Sequence, residues 1–154
     1  MNALLLADTP NLFRTVVRCH GTDAIPDYGA ILNLGRELGE VSAYAFVNPG
    51  VSPRFAEAVR NKGFKVIGSK AEDVDDSLVA NAVRLGVGVD WVVLCSGDGD
   101  YIPLARLLQS TGVKVGVIAE PMRCSQELRR VADCFFPAPF FVIRGAMRSV
   151  AVAA

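Results

Sequence analysis

Five apolar runs of strand length, at residues 3–7, 41–47, 64–67, 91–95 and 113–118, are each followed by a segment with helical periodicity. Strands alternating with helices cannot pair as hairpins; they require crossovers, and crossovers give a parallel sheet with helices on its faces. The joints carry matching signals. Thr9-Pro10 and Ser52-Pro53 each place a capping side chain ahead of a proline at a first helical position. Gly39 and Gly63 close the helical segments before them, the second after Arg60 and Lys62. Residues 9–20, 28–38, 53–62, 73–85, 101–110 and 125–131 are therefore read as helices, and 21–27 as a loop.

With 154 residues, half of them apolar, the chain matches one domain able to bury its own core. Residues 1–136 are read as that domain. Residues 137–154, apolar and broken by Pro137 and Pro139, are read as a segment of the same domain or a homodimer contact, ending in a frayed tail. Four cysteines without a C-x-x-C pair argue against zinc and against a disulfide framework, and the cytoplasm is the expected compartment. No run approaches the roughly 18 apolar residues of a membrane helix. The formal net charge is zero, so nucleic acid would have to be held by a local patch rather than a general basic field.

In open parallel sheets, ligands bind beyond the carboxyl ends of the strands, where strand order reverses. Asp8 directly follows the first run, and Ser96-Gly97-Asp98-Gly99-Asp100 follows the fourth. If those two strands are neighbours, three carboxylates share one crevice. Capping accounts for some of this acidity. It suits Asp100, with a helix starting directly after it; Thr9 is the cap beside Asp8, and Asp98 lies too far upstream. On the 73–85 helix, at about 100° per residue, Leu78, Val79, Ala82, Val83 and Leu85 share one arc. Asp75 projects near its centre, Asp76 toward its edge and Asn81 outside it. An acid on a sheet-facing stripe is costly unless paired or bound to metal.

Carboxylate oxygens suit Mg2+ or Mn2+, and clustered acids can hold one or two such ions against a phosphate. Asp8, Asp75, Asp98 and Asp100 are thus the candidate metal ligands and catalytic residues. Asn11 is placed to orient Asp8 or a water, and Ser96 to donate to a phosphate oxygen, although each also reads as a local cap or turn residue. Lys70, Arg123, Arg129 and Arg130 are candidates for a basic rim. His20 stands alone at a helix end, and Gly97 and Gly99 match no phosphate-loop pattern.

These blocks resemble the NYN domains of the PIN-like nuclease superfamily, including their LabA-like branch. The run from Leu4 to Asp8, continuing Thr9-Pro10-Asn11-Leu12, is similar to the opening strand and D-x-x-N-L. Lys70 followed by Asp75-Asp76-Ser77-Leu78 resembles the K…D-x-x-L element. Ser96-Gly97-Asp98-Gly99-Asp100-Tyr101-Ile102-Pro103-Leu104 is close to S-G-D-x-D-[FY]-x-P-L, the most specific block. Ser125-Gln126-Glu127-Leu128 and Ala132-Asp133-Cys134-Phe135 resemble the closing S-x-x-L…A-D-x-F.

The resemblance implies a PIN-like, three-layer α/β sandwich with a central, mostly parallel sheet of Rossmann-like topology. It also implies a metal-dependent ribonuclease whose acidic site is Asp8, Asp75, Asp98 and Asp100, supported by Asn11, Ser96 and Ser125. Two departures stand out: Thr9 where the family often has glycine, and Asn81 where it often has an acid. The expected activity is cleavage of single-stranded RNA, endonucleolytic, with Mg2+ or Mn2+. The alternative is a regulatory domain that binds RNA or protein without cutting. A phosphohydrolase of small esters ranks last, because the first strand offers no D-x-D pair.

Overall fold

The first apolar run becomes β1 (Asn2–Asp8), the strand on which the rest of the sheet is built. In this computed structural model, which describes residues 1–69 and 73–143, it leads directly into α1 (Thr9–His20). There follow β2 (Ala24–Pro26), α2 (Tyr28–Arg36), β3 (Glu40–Val47), α3 (Pro53–Lys62), β4 (Lys65–Gly68) and α4 (Val74–Leu85). The second half comprises β5 (Trp91–Cys95), α5 (Ile102–Ser110), β6 (Lys114–Ala119), α6 (Gln126–Val131), β7 (Cys134–Pro137) and β8 (Phe140–Val142). Lys70 and the tail from residue 144 lie outside the described residues.

Six strands form one parallel sheet in the order β4-β3-β1-β5-β6-β7. Strand order reverses at β1, which lies between β3 and β5, with Ala7 beside Cys95 and Asp8 beside Phe46. Both faces of β1 are covered, so it reads as a continuous apolar run rather than an alternating one. The alternation survives in what each residue touches. Leu4, Leu6, Val92 and Leu94 share a core with Leu78 and Ala82 of α4, Leu104 and Leu108 of α5, and Leu128 of α6. Leu5, Ala7, Val93 and Cys95 share the other with Leu12 of α1, Ile31 of α2, and Phe55 and Val59 of α3. Three layers result, with three helices on each face. Asp8, in step with Leu4 and Leu6, belongs to the side covered by α4 and α5.

The readings of residues 21–27, of His20 and of Val83 change, and the segment after Asp133 takes a definite place in the fold. Part of the 21–27 loop is a strand, β2, paired antiparallel with β8 across residues 24–26 and 140–142. Three residues carry no periodicity of their own, and the pairing depends on a segment more than a hundred positions away. The apolar segment after Asp133 supplies β7, the edge of the main sheet, and then β8. His20 is not alone either. Its ring stacks on Phe140, centroids 3.8 Å apart, and its Nε2 lies 2.7 Å from Oε2 of the buried Glu120. That contact fixes the end of α1 against β8 and against the turn after β6. Val83, placed by its periodicity on the sheet-facing arc of α4, is exposed instead, while Val74, Leu78 and Ala82 are buried. All four cysteines are free, and Cys95 is fully buried. Among the described residues, no helix is long and apolar enough to cross a membrane.

Candidate metal centre

The carboxyl ends of β1 and β5 lie side by side, and Asp8, Asp98 and Asp100 at those ends are joined by a fourth acid, Asp75, from α4. Asp75, Asp98 and Asp100 each offer a carboxylate oxygen, and these oxygens all lie within 4.8 Å of one another. Asp8 stands behind this group, 3% exposed, with both oxygens engaged by the protein. Its Oδ1 accepts the Asn11 backbone N–H at 3.1 Å, and its Oδ2 lies 3.0 Å from the Tyr101 hydroxyl. The same hydroxyl lies 2.9 Å from Oδ1 of Asp75.

Electrostatics follow from this crowding. Burial pushes the Asp8 carboxyl up to about 6; the Asn11 N–H and the Tyr101 hydroxyl oppose that rise, and the charges of Asp75 and Asp98 reinforce it. Asp75 is also raised, first by burial and then by Asp98, Asp73 and Asp100, against the Tyr101 hydrogen bond. A cation in this crevice would relieve both. On the other face of the sheet, the buried Tyr28 hydroxyl has no hydrogen-bond partner among the described residues. Burial, followed by the neighbouring Cys95 and Asp8, pushes its pKa up.

The capping roles are the reverse of those expected. Asp8, not Thr9, is the N-cap of α1; Thr9 is already helical, and its hydroxyl donates to the Phe46 carbonyl of β3 at 2.8 Å. Asp98 caps a 3-10 turn, Gly99–Tyr101, through the Asp100 N–H at 2.9 Å. That turn delays α5 to Ile102 and leaves Asp100 exposed inside it rather than at the helix cap. Capping uses one oxygen of Asp98, so the structural and ligand roles coexist on one side chain.

The loop between β5 and this turn is held from both sides. Asn11 Oδ1 accepts the Gly97 N–H at 3.1 Å, and the Ser96 hydroxyl, fully buried, accepts the Asp98 N–H at 3.2 Å. Ser125 caps α6 through the Leu128 N–H, while its own N–H donates to the Gly97 carbonyl at 2.8 Å. The glycines serve close approach here. A Cβ on Gly97 would lie 2.9 Å from the Cys124 Cα and 3.1 Å from the Arg123 carbonyl, and one on Gly99 would lie 3.1 Å from the Ser125 hydroxyl. Because the Gly97 obstacle is backbone, Gly97→Ala is expected to cost about 1–3 kcal/mol, read as a lower urea midpoint. An unchanged midpoint would show that the 123–125 segment yields freely.

Residues 2–139 match the NYN domain family. This chain belongs to the NYN domain family. NYN domains are generally nucleases of PIN-like fold, and the six-stranded parallel sheet with helices on both faces is that three-layer sandwich. A similar solved structure is that of a protein of unknown function, VPA0982, from Vibrio parahaemolyticus. The two share 28% identity, with a TM-score of 0.80 over 88% of this chain and 91% of that one. No curated protein matches the chain.

Within this NYN domain, the positions that depart from the family pattern are occupied elsewhere. Thr9 is bonded to β3, as above. Asn81 donates to the Ser77 carbonyl and accepts from Arg84. Of the basic candidates, Arg123 is exposed beside the Gly97 loop, Arg129 lies 4.1 Å over the Phe135 ring, and Arg130 is exposed on α6. Cys124 is half-buried, and burial pushes its thiol up despite Arg129. Tyr101 is the residue whose place at the site went unread in the sequence. Its only signal there was its position directly after Asp100 in the D-x-D-[FY] block, where an aromatic residue reads as core.

Proposed function

We propose that this NYN domain is a divalent-metal-dependent ribonuclease that hydrolyses phosphodiester bonds of single-stranded RNA endonucleolytically. Its sequence blocks favour the LabA-like branch of the family. The observation that carries the reading is the convergence of Asp75, Asp98 and Asp100 within 4.8 Å at the point where strand order reverses.

The donor set fits the ion. It is all carboxylate oxygen, with neither His nor Cys in the group, which suits Mg2+ or Mn2+ and not zinc. When bound, such an ion would supply Lewis acidity toward a phosphate oxygen and promote ionisation of the attacking water. Asp75, Asp98 and Asp100 would hold it. Asp8, buried behind them, would hold negative charge or a proton at Oδ2 as the ion leaves or arrives. Asn11, Ser96 and Ser125 would keep the β5 loop in shape rather than touch substrate. Arg123, exposed beside that loop, and Lys70 are the proposed phosphate contacts; with a formal charge of zero, RNA binding would rest on such local cations.

The test is cleavage of end-labelled single-stranded RNA by the purified protein with Mn2+, with and without chelator, together with calorimetric titration of Mn2+. Metal-dependent internal cuts are expected. Activity that survives the chelator would refute the metal reading. Absence of Mn2+ binding at millimolar levels would favour a domain that binds RNA or protein without cutting.

A further inference from the structure

We propose that the Tyr101 hydroxyl is the positioning group of this site, holding the Asp75 carboxylate against Asp8 so that Asp75 meets Asp98 and Asp100 around one cation. The inference rests on the cation-dependent reading above and adds to it the group that assembles the ligands.

The ring of Tyr101 is fully buried in the core shared by Leu78 of α4, Leu104 of α5 and Leu128 of α6. Close packing leaves such a ring little freedom, so its hydroxyl has a fixed position. At that position it lies 3.0 Å from Asp8 Oδ2 and 2.9 Å from Asp75 Oδ1. A phenol has one proton and can donate to only one of two carboxylates at a time. The second carboxylate then meets the phenol oxygen, and the arrangement stays favourable when a proton or a cation lies close to the pair.

The two acids also depend on it unequally. Asp8 has a second donor, the Asn11 N–H, and is fixed at the end of a central strand. Asp75 arrives on α4, and among the described residues the Tyr101 hydroxyl is the donor to its carboxylate. Asp98 and Asp100 precede Tyr101 in the same turn. One hydroxyl thus links the turn that carries two of the ligands to the helix that carries the third. Phenylalanine, which the sequence signature also admits, would fill the same core space and leave two carboxylates facing each other with no donor between them. Their repulsion would turn Asp75 outward.

The experiment is Mn2+ titration of the wild type and Tyr101→Phe, by calorimetry and by the electron paramagnetic resonance signal of free Mn2+. Thermal unfolding in chelator serves as the measure of fold. Groups that orient metal ligands are worth about 10–100-fold in metal affinity, and a loss in that range is expected, with the unfolding transition still cooperative. Equal affinity in the two proteins would overturn the role of Tyr101 and leave the metal reading standing. Failure of the wild type to bind Mn2+ would overturn both. Should the variant not fold, the wild type decides the question when labelled at the ζ carbon of its three tyrosines. Adding Mg2+ should shift the Tyr101 signal and leave that of Tyr44, whose ring faces Lys65, in place. A Tyr101 signal that does not move overturns the proposal.

Discussion

Asp8→Asn is expected to make the metal-free protein more stable than the wild type above pH 6, and the difference should vanish on acidification to about pH 4. The physical basis is a carboxyl whose pKa rises from 3.8 to about 6 on folding. The folded protein therefore favours the protonated form. The stability associated with this group is fully present below pH 3.8, is lost as pH climbs toward 6, and stays lost above it. Across a gap of about two pH units, at about 1.4 kcal/mol each, the ionised group costs roughly 3 kcal/mol. Asparagine removes the charge and remains a good N-cap, so the Asn11 N–H keeps its acceptor. A gain of about 1–3 kcal/mol at pH 7.5 is expected, which is several degrees in Tm for a chain of this size. Thermal melts of both proteins in chelator across pH 4–8 would measure it. A difference that does not change with pH would mean that Asp8 is not the strained group. Asp75, raised for the same reasons, adds to the wild-type trend in the same direction. Mn2+ should reverse the order, stabilising the wild type more than the variant, because a bound cation makes the Asp8 charge favourable.

The second large effect is on cleavage. Asp98→Asn is expected to lower Mn2+-dependent RNA cleavage by about 100-fold or more, since groups one step removed from a metal already cost about 10–100-fold. This substitution isolates the ligand role. Asn caps as well as Asp, so the acceptor for the Asp100 N–H and the 3-10 turn are retained. The variant should melt within a few degrees of the wild type in chelator while losing affinity for Mn2+. Wild-type cleavage rates in Asp98→Asn would exclude Asp98 from the reaction and, with it, the metal centre as the source of activity.

The comparison of these two aspartates shows what the chain alone could tell. Both were legible as acids at or just beyond a strand end, because Asp8 closes the first apolar run and Asp98 follows the fourth after Ser96-Gly97, each a local pattern. Their division of labour was not. Asp98 faces Asp75 and Asp100 within 4.8 Å, whereas Asp8 sits behind them with both oxygens on protein donors. The difference comes from depth. Asp8 is the last residue of a strand flanked on both sides, while Asp98 lies in a loop three residues beyond its own strand. The helix period placed Asp75 on the correct side of α4 but misplaced Val83, since periodicity gives an angle around the helix and not where the neighbouring layer ends.

The sequence by itself determined the alternation of strands and helices, the parallel sheet, the glycine-spaced aspartates and the face of α4 that carries Asp75. These are fixed by neighbours within a few residues: side-chain period, proline at helix starts, glycine at helix ends. Only the tertiary structure decided that β2 and β8 pair, that His20 meets Glu120, and that Tyr101 reaches both Asp8 and Asp75. Each of those contacts joins segments distant in sequence and makes sense only once the core has been packed. Short-range patterns specify direction and facing; distances between remote side chains are set by how the layers fit together.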